Sequence, residues 1–505
     1  MKNSGLVCLS AVVILTFASL GCGYNGSADP ASGLPKGFSI SGTAHPLVAQ
    51  YTITHPQPGM SAWVEFGTDT TYGRQTSVVN SSPTSAGGQS LSILVAGMLP
   101  QTTYHMRAHA DWASYSFVFP DSTFTTGALP TSLPLPKIAA GVPGSTTAAT
   151  QAPVPGVELL SAIVEPLATD LQGNVIWYCP MPALPIKLMQ NGHFILVEAP
   201  NLLEVDLTCN IIRAISLSQV NQSLQTQGHS YQVLNFSHDV LTLPNGHWVT
   251  IGQISRDFTD LPGYPGITSV LGDLLLDIDP TGNVAWSWSA FDHLDITRYP
   301  YFGLPDWTHG NALVYTQDGD LLFSSRHQAW IIKIDYANGT GTGNALWKLG
   351  LDGDFTLLGG DPSQWFFAQH NPNILSVNGS QTTLAVYDNG NFRIDPSTGL
   401  QCNAGGPACY SRATIFQLDE DTMIATLSWQ DLPGYFSAWG GSINLLSNGD
   451  MEFASSDPFN SAAAQITEVT PTDSPQVVWQ MNVTGTNVYR GQRIPSLYPG
   501  VTWQK

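Results

Sequence analysis

The sequence predicts an all-β protein, a six-bladed β-propeller preceded by a small β-sandwich, and three observations carry that prediction. The chain has 505 residues, more than one ordinary core accommodates, so two domains or a domain of repeated units are expected. Only 11% of residues are charged, while Gly 48 and Pro 35 punctuate the chain, the composition of many short strands joined by turns. The third observation is internal repetition. Gly-Asn, an apolar pair and Trp recur at Gly173-Asn174-Val175-Ile176-Trp177, Gly282-Asn283-Val284-Ala285-Trp286 and Gly343-Asn344-Ala345-Leu346-Trp347. Looser copies end at Arg213, Trp429 and Trp479, giving six units. Most units also carry an Asn-Gly or Asp-Gly turn, such as Asn191-Gly192 or Asn448-Gly449, which suits tight hairpins because both central residues tolerate positive φ. Antiparallel units repeated at this spacing make a propeller, with the tryptophans packing between adjacent blades.

In chain order, residues 1–22 carry Lys2, an apolar run from Leu6 to Leu20 and then Gly21-Cys22, the order of a bacterial export signal. Ser19-Leu20-Gly21-Cys22 resembles a lipoprotein cleavage box, which implies lipidation of Cys22 and a place in the periplasm or cell envelope. No other apolar run approaches the roughly 20 residues that span a bilayer, so membrane contact is expected only through that anchor. Residues 23–36 read as a linker. Residues 37–128 alternate as a sandwich of about seven strands, and Leu99-Pro100-Gln101-Thr102-Thr103-Tyr104 resembles the fibronectin type III signature, whose tyrosine bonds back to the corner backbone. Residues 129–156, rich in Pro, Gly, Ala and Thr, form a linker or strap. Residues 157–505 hold the repeats.

Acidic residues outnumber basic ones 37 to 17, for a formal charge of -20, and no Lys/Arg stripe exists for a phosphate backbone to follow, which argues against nucleic acid. Past the signal four cysteines remain. In an oxidising compartment Cys402 and Cys409 make a local staple across a Gly-rich loop. Cys179 and Cys209 are either a longer-range pair or two buried thiols.

Most of the 12 histidines read as surface or turn residues, including His193 and His247 after Asn-Gly turns. His238, His309 and His370 differ, because each precedes the apolar run of a hairpin. In a propeller the innermost strands begin at one face of the central channel, so three successive blades would aim three imidazoles at one point. Arg326 ends a strand in the blade of His309, and a guanidinium beside three histidines makes an anion site in so charge-poor a chain. The alternative for Arg326 is an ion pair with one of the many carboxylates.

The motifs His238-Asp239-Val240, Asp306-Trp307-Thr308-His309-Gly310-Asn311, Ser324-Ser325-Arg326-His327-Gln328, Gln369-His370, Val386-Tyr387-Asp388-Asn389-Gly390 and Tyr410-Ser411-Arg412-Ala413 resemble the bacterial aryl-sulfate sulfotransferases, in the same order along the propeller. The resemblance implies that His370 is a nucleophile transiently sulfated, that His238, His309 and Arg326 hold the sulfuryl oxygens, and that Asn311 is a further polar group of the pocket. The family often has a short-loop disulfide upstream of its catalytic histidine, whereas Cys402 and Cys409 lie downstream of His370. Sulfuryl transfer needs positioning and charge neutralisation by Arg and protonated His, as phosphoryl transfer does. A neutral His370 would hold the group between two half-reactions, with either His238 or His309 moving the phenol proton.

The expected partners are a phenolic sulfate donor and a phenol acceptor, with a homodimer as the assembly considered. No cofactor is expected, because no glycine-rich phosphate loop and no metal-ligand spacing are present. Trp307, Trp365, Phe366, Phe367, Tyr435 and Trp439 are candidates to stack on the rings, or else to be core. The competing reading is a cell-surface binding or adhesion propeller without activity. A quinoprotein dehydrogenase would need a bound cofactor and a calcium-binding carboxylate cluster.

Overall fold

In Ala49–Thr54, Ser61–Gly67 and Thr103–Trp112 every second side chain is buried, the period-two pattern of strands with one face on a core. They belong to two sheets in a computed structural model that describes residues 37–82, 90–142, 151–402, 406, 408–458 and 461–504. The first sheet contains Gly37–Gly42, Ala49–Thr54 and Ser90–Val95. The second is built on Ser61–Gly67 and Thr103–Trp112 with four shorter strands, so nine strands stand where about seven were expected. The excess arises because Arg74–Gln75 and Val79–Asn80 pair separately with Ser61–Gly67. Tyr51, Phe66 and Met106 fill the space between the sheets. The Tyr104 hydroxyl accepts the Leu99 N–H at 2.9 Å, a bond back to the corner of the strand.

Residues beyond 156 build six further sheets, antiparallel apart from one short added strand, so the fold is all-β and propeller-like. Five are meanders of consecutive strands. The other is shared between the chain's two ends: Val488–Ile494 pairs with Val157–Ala162, which leads on to Leu167–Thr169 and Val175–Tyr178. The first strands of successive sheets, Asn235–Thr242, Gly310–Tyr315, His370–Asn378 and Ser442–Leu445, lie side by side, and the last of them lies against Val488–Ile494. Two sheets gain a fifth strand. Lys137–Gly141 pairs with Val477–Thr484, which places part of the predicted strap on a sheet edge, and Thr356–Leu357 runs parallel to Ile424–Asp431.

The repeated motif lies on the outer strand of each meander, and its last residue reaches the following sheet. Trp177 donates to the Leu207 carbonyl at 2.8 Å, Trp347 to Glu420 at 3.0 Å, Trp429 to the Thr472 carbonyl at 3.1 Å and Trp479 to the Leu171 carbonyl at 2.9 Å. Trp286 packs edge-on against Tyr336 at 5.0 Å. Where Arg213 replaces Trp, its guanidinium lies 3.4 Å over the Trp248 ring of the next sheet, a cation–π contact that bridges the same gap. Burying such rings contributes about 1.5–3 kcal/mol each.

The closing seam also carries charge. Arg493 meets Glu158 on its own sheet and reaches Glu468 at 3.1 Å and Glu452 at 3.6 Å on the neighbouring one. Beyond the last strand the chain docks on the sandwich. Tyr498 donates to the Leu94 carbonyl and Trp503 to the Gln75 carbonyl, each at 2.9 Å. Gly97 permits the latter contact, since its φ is +90° and a Cβ there would lie 2.3 Å from the Trp503 ring. Disulfides join Cys402 to Cys409 and Cys179 to Cys209. Cys22 and its signal segment lie outside the described residues. No helix among the described residues is long and apolar enough to cross a membrane.

Candidate active site

Three neighbouring sheets each bring one histidine to the same cavity. His238 lies in Asn235–Thr242, where the pairing register shifts between Ser237 and Val240. His309 immediately precedes Gly310–Tyr315, and His370 opens His370–Asn378. The backbone there is left-handed at non-glycine residues: φ is +56° at His238, +49° at His309, +54° at Ala368 and +46° at Asn371. That conformation costs about 1–3 kcal/mol per residue and persists only where the surroundings enforce it.

Three buried carboxylates enforce it. Asp239 accepts the Val240 and Leu313 N–H groups at 2.9 Å and is neutralised by Lys187 at 2.5 Å and Arg490 at 3.3 Å. Asp273 accepts the Thr308 hydroxyl and the Gly310 N–H, both at 2.6 Å, gripping the chain on either side of His309. Asp388 accepts the Phe367 N–H at 2.9 Å and pairs with Arg393 at 2.9 Å and Arg412 at 2.7 Å. These bonds satisfy backbone donors that the interrupted ladders leave free.

His238, His309, Arg326 and His370 line one cavity of about 400 Å³, together with Tyr489 and Trp439. The His238 and His309 rings lie 4.7 Å apart. Tyr489 sits 5.9 Å from His238 and 6.0 Å from His370. The lining also has an aliphatic part, with Ile163, Leu184 and Val197 from the segments of the first two sheets. Asn311 does not line this cavity. Its amide nitrogen donates to the Gln369 carbonyl at 2.7 Å, so it braces the backbone immediately before His370.

The hydrogen bonds of His370 fix its tautomer. The Asn389 amide nitrogen donates to the Ser437 carbonyl at 2.8 Å and the Gly440 carbonyl at 2.9 Å, so its Oδ1 faces His370 Nδ1 at 2.7 Å and must accept a proton from it. The remaining nitrogen, Nε2, receives the Gly440 N–H at 3.2 Å and is a lone-pair base. Burial, reinforced by the positive charge of Arg326, holds the imidazole pKa well below its ordinary value despite the Asn389 bond. The ring is therefore neutral at physiological pH.

Burial also lowers His238 to about 3, with His309 and Arg326 acting in the same direction. The expectation of protonated histidines around the sulfuryl group is thus corrected at His238, which is neutral. Arg326 is lowered by burial to about 10 and stays cationic. Its guanidinium donates to the Ala438 carbonyl at 3.0 Å and to His327 Nε2 at 3.1 Å, and lies 4.1 Å over the Phe302 ring. Its Nε has no hydrogen-bond partner among the described residues. No carboxylate pairs with it there, so the ion-pair alternative fails among the described residues.

Of the six aromatic candidates only Trp439 lines the cavity. Trp307, Trp365, Phe366, Phe367 and Tyr435 are buried elsewhere, because the residues leading to each histidine pack between sheets. Asp306, His309 and His327 bring ligand-type atoms within 4.8 Å of one another, a grouping that sequence spacing did not reveal. His327 Nδ1 faces the Asp306 carbonyl at 2.7 Å and its Nε2 faces the Arg326 guanidinium, so neither nitrogen is free for a metal. Asn389, His327 and Asp306 all sit inside motifs singled out from sequence, yet only their contacts give them roles. Tyr489 had no sequence signal.

A family model described as arylsulfotransferase matches residues 162–490. A search of curated proteins finds no match. Among solved structures, a protein of unknown function from Bacteroides caccae aligns with a TM-score of 0.38 at 9% identity, covering 67% of this chain and 98% of its own. Virginiamycin B lyase from Staphylococcus aureus aligns at 0.32 and 10% identity, covering 69% and 99%.

Proposed function

The chain belongs to the arylsulfotransferase family, and from that membership we propose that this sulfotransferase moves a sulfuryl group from a phenolic sulfate ester to a phenol in two steps, through a sulfated His370 and without a nucleotide donor. One observation carries the reading: His370 is neutral, its Nδ1–H is committed to Asn389, and its Nε2 lone pair belongs to the cavity that holds Arg326. Such an imidazole is a nucleophile that needs no base of its own.

In the first step Nε2 attacks sulfur as the bond from sulfur to the aryl oxygen breaks, leaving an N-sulfo group whose Nδ1–H stays on Asn389. The Gly440 N–H, no longer held by the lone pair, turns to a sulfuryl oxygen. The unpartnered Nε–H of Arg326 and the N–H of neutral His238 serve the other two. Donors fixed in advance are the main source of catalysis for this kind of charge. In the second step the acceptor oxygen attacks the same sulfur and returns His370 to its starting state, which gives ping-pong kinetics. Donor and acceptor rings lie against the aliphatic part of the lining in turn.

The same reading makes residues 157–505 a six-bladed propeller, 37–128 a fibronectin type III-like sandwich and 129–156 the strap between them. Export with an anchor at Cys22 would place the enzyme among phenols of the cell envelope. The test is mass spectrometry on protein quenched during turnover of 4-nitrophenyl sulfate. A sulfo group is expected on the peptide containing His370 and is expected to disappear when a phenol acceptor is added. Turnover without that adduct, or undiminished turnover in His370→Asn, would overturn the covalent route.

A further inference from the structure

We propose that Asp306 is the positioning residue of a proton relay, holding His309 as the group that protonates the departing phenolate and deprotonates the incoming phenol. The inference rests on the sulfuryl-transfer reading above and adds to it the path of the proton. The Asp306 carboxylate lies 2.5 Å from His309 Nδ1. A carboxylate only accepts, so Nδ1 carries the hydrogen and Nε2 is the nitrogen that His309 offers to the cavity it lines. Burial disfavours ionisation of Asp306, but the His309 bond and the neighbouring histidines outweigh it, and the carboxyl titrates below its ordinary value. A lasting anion on Nδ1 stabilises the imidazolium that forms when Nε2 takes a proton.

The other two histidines are disqualified by their contacts. His370 Nδ1 is held by a neutral amide and its Nε2 is the nucleophile. His238 has a serine hydroxyl, Ser237, on Nδ1 and faces the positive side of Arg326 and Arg490. His309 alone of the three has a carboxylate.

Asp306 does a second task with its main chain. Its carbonyl accepts the His327 Nδ1–H at 2.7 Å, which leaves His327 Nε2 to accept from Arg326 at 3.1 Å. The His327 and His309 rings stack at 4.4 Å. One residue therefore aligns both the proton carrier and, through His327, the guanidinium that holds the sulfuryl oxygens.

The proton balance closes over a cycle. The cycle starts with the transferable proton on His309 Nε2. As the bond between sulfur and the aryl oxygen breaks and the bond from His370 Nε2 to sulfur forms, the Nε2–H of His309 passes to the aryl oxygen and a neutral phenol leaves. His309, now neutral, takes the hydroxyl proton of the acceptor while its oxygen displaces His370 from sulfur. Both histidines end as they began.

The experiment compares wild type, Asp306→Asn and His370→Asn with two donors, phenyl sulfate and 4-nitrophenyl sulfate, across pH. Asn keeps the carbonyl that holds His327 and removes only the anion. A basic phenolate needs protonation and nitrophenolate barely does, so Asp306→Asn is expected to lose about 10²-fold or more with phenyl sulfate and less than about tenfold with 4-nitrophenyl sulfate. The high-pH limb of the phenyl sulfate profile should shift in the variant. Charged and titratable groups facing His309 are Asp306, Asp273, His238, His327, His370 and Arg326, so a matching shift in His327→Gln would assign the limb elsewhere and overturn the relay. Equal losses with both donors would make Asp306 merely structural. Loss of wild-type activity in a chelator, restored by Zn²⁺, would make the trio a metal site and also overturn it. Failure of the transfer reading is distinguishable, because then His370→Asn would turn over both donors like wild type.

Discussion

Asn389 and His370 form a pair in which the amide is the rigid member: its nitrogen is tied to the Ser437 and Gly440 carbonyls, and its oxygen sits 2.7 Å from His370 Nδ1. The orientation of the nucleophile is thus set by the loop that leaves its own sheet, after Ile424–Asp431, for the next one. Replacing Asn389 with Ala frees the imidazole to rotate and to exchange tautomers, and a displacement on the order of 1 Å costs about 10²-fold in rate. Activity on 4-nitrophenyl sulfate is expected to fall by that factor with KM nearly unchanged. A loss confined to KM would mean that Asn389 serves binding alone.

Gly440 supplies the N–H that meets His370 Nε2 at 3.2 Å, and its φ is +63°. A Cβ there would lie 2.3 Å from the Ser456 hydroxyl oxygen, so even Ala must push the loop away. Gly440→Ala is expected to lower kcat by about 10²- to 10³-fold, the cost of losing one oxyanion donor, and to lower the unfolding midpoint as well, since a Cβ at positive φ costs about 1–3 kcal/mol. Unaltered kcat would remove this N–H from the transition state.

Buried neutral histidines make the protein acid-sensitive. His238 titrates near 3 and His327 near 4 in the folded chain, and His370 is shifted the same way, against about 6.5 when unfolded. Below about pH 6.5 the unfolded chain binds more protons, so the stability these groups contribute is present above that pH and is lost as pH falls towards the folded values. Asp273 acts oppositely. Burial raises it to about 6, so it adds stability as pH falls from there towards its ordinary value. Within the site three lowered histidines face this one raised carboxyl, so the contribution of the site to the thermal midpoint is expected to drop between pH 6.5 and 4. The decline should be shallower in His238→Gln; an equal slope in both proteins would exclude His238 as a cause.

Much of this was legible in the sequence because it is local or periodic. The Gly-Asn and Trp motif marks an outer strand in every meander, and Arg213 kept its place in the series despite losing the indole, since a guanidinium spans the same gap to Trp248. His238, His309, His370 and Arg326 were legible from their matching places beside the apolar run of a hairpin, and they share one cavity. What escaped depends on contacts between residues far apart in the chain. Tyr489 lines the site because the last strand closes the first sheet, and the aromatic run before His370 turned inward because Phe366 and Phe367 pack between sheets. Asn311 is polar and near the site, but its bond to the Gln369 carbonyl has no signature in spacing.

The closing seam offers a test of what holds the two ends of the chain together. Arg493 is almost wholly buried and is the cation that Glu158, Glu452 and Glu468 converge on. Burial and the charge of Glu158 push Glu452 well above its ordinary range, so the cluster tolerates its carboxylates only while the guanidinium is present. Removing one partner of such a cluster leaves buried charge without compensation, at about 3–5 kcal/mol, even though an apolar replacement of the whole set can be neutral. Arg493→Met is expected to lower unfolding free energy by about that amount in urea. Because the removed charge neutralises carboxylates, the deficit should shrink as pH falls and the glutamates take up protons. A deficit independent of pH would show that Arg493 acts by packing against Trp479, which its guanidinium overlies at 4.5 Å, and not by charge.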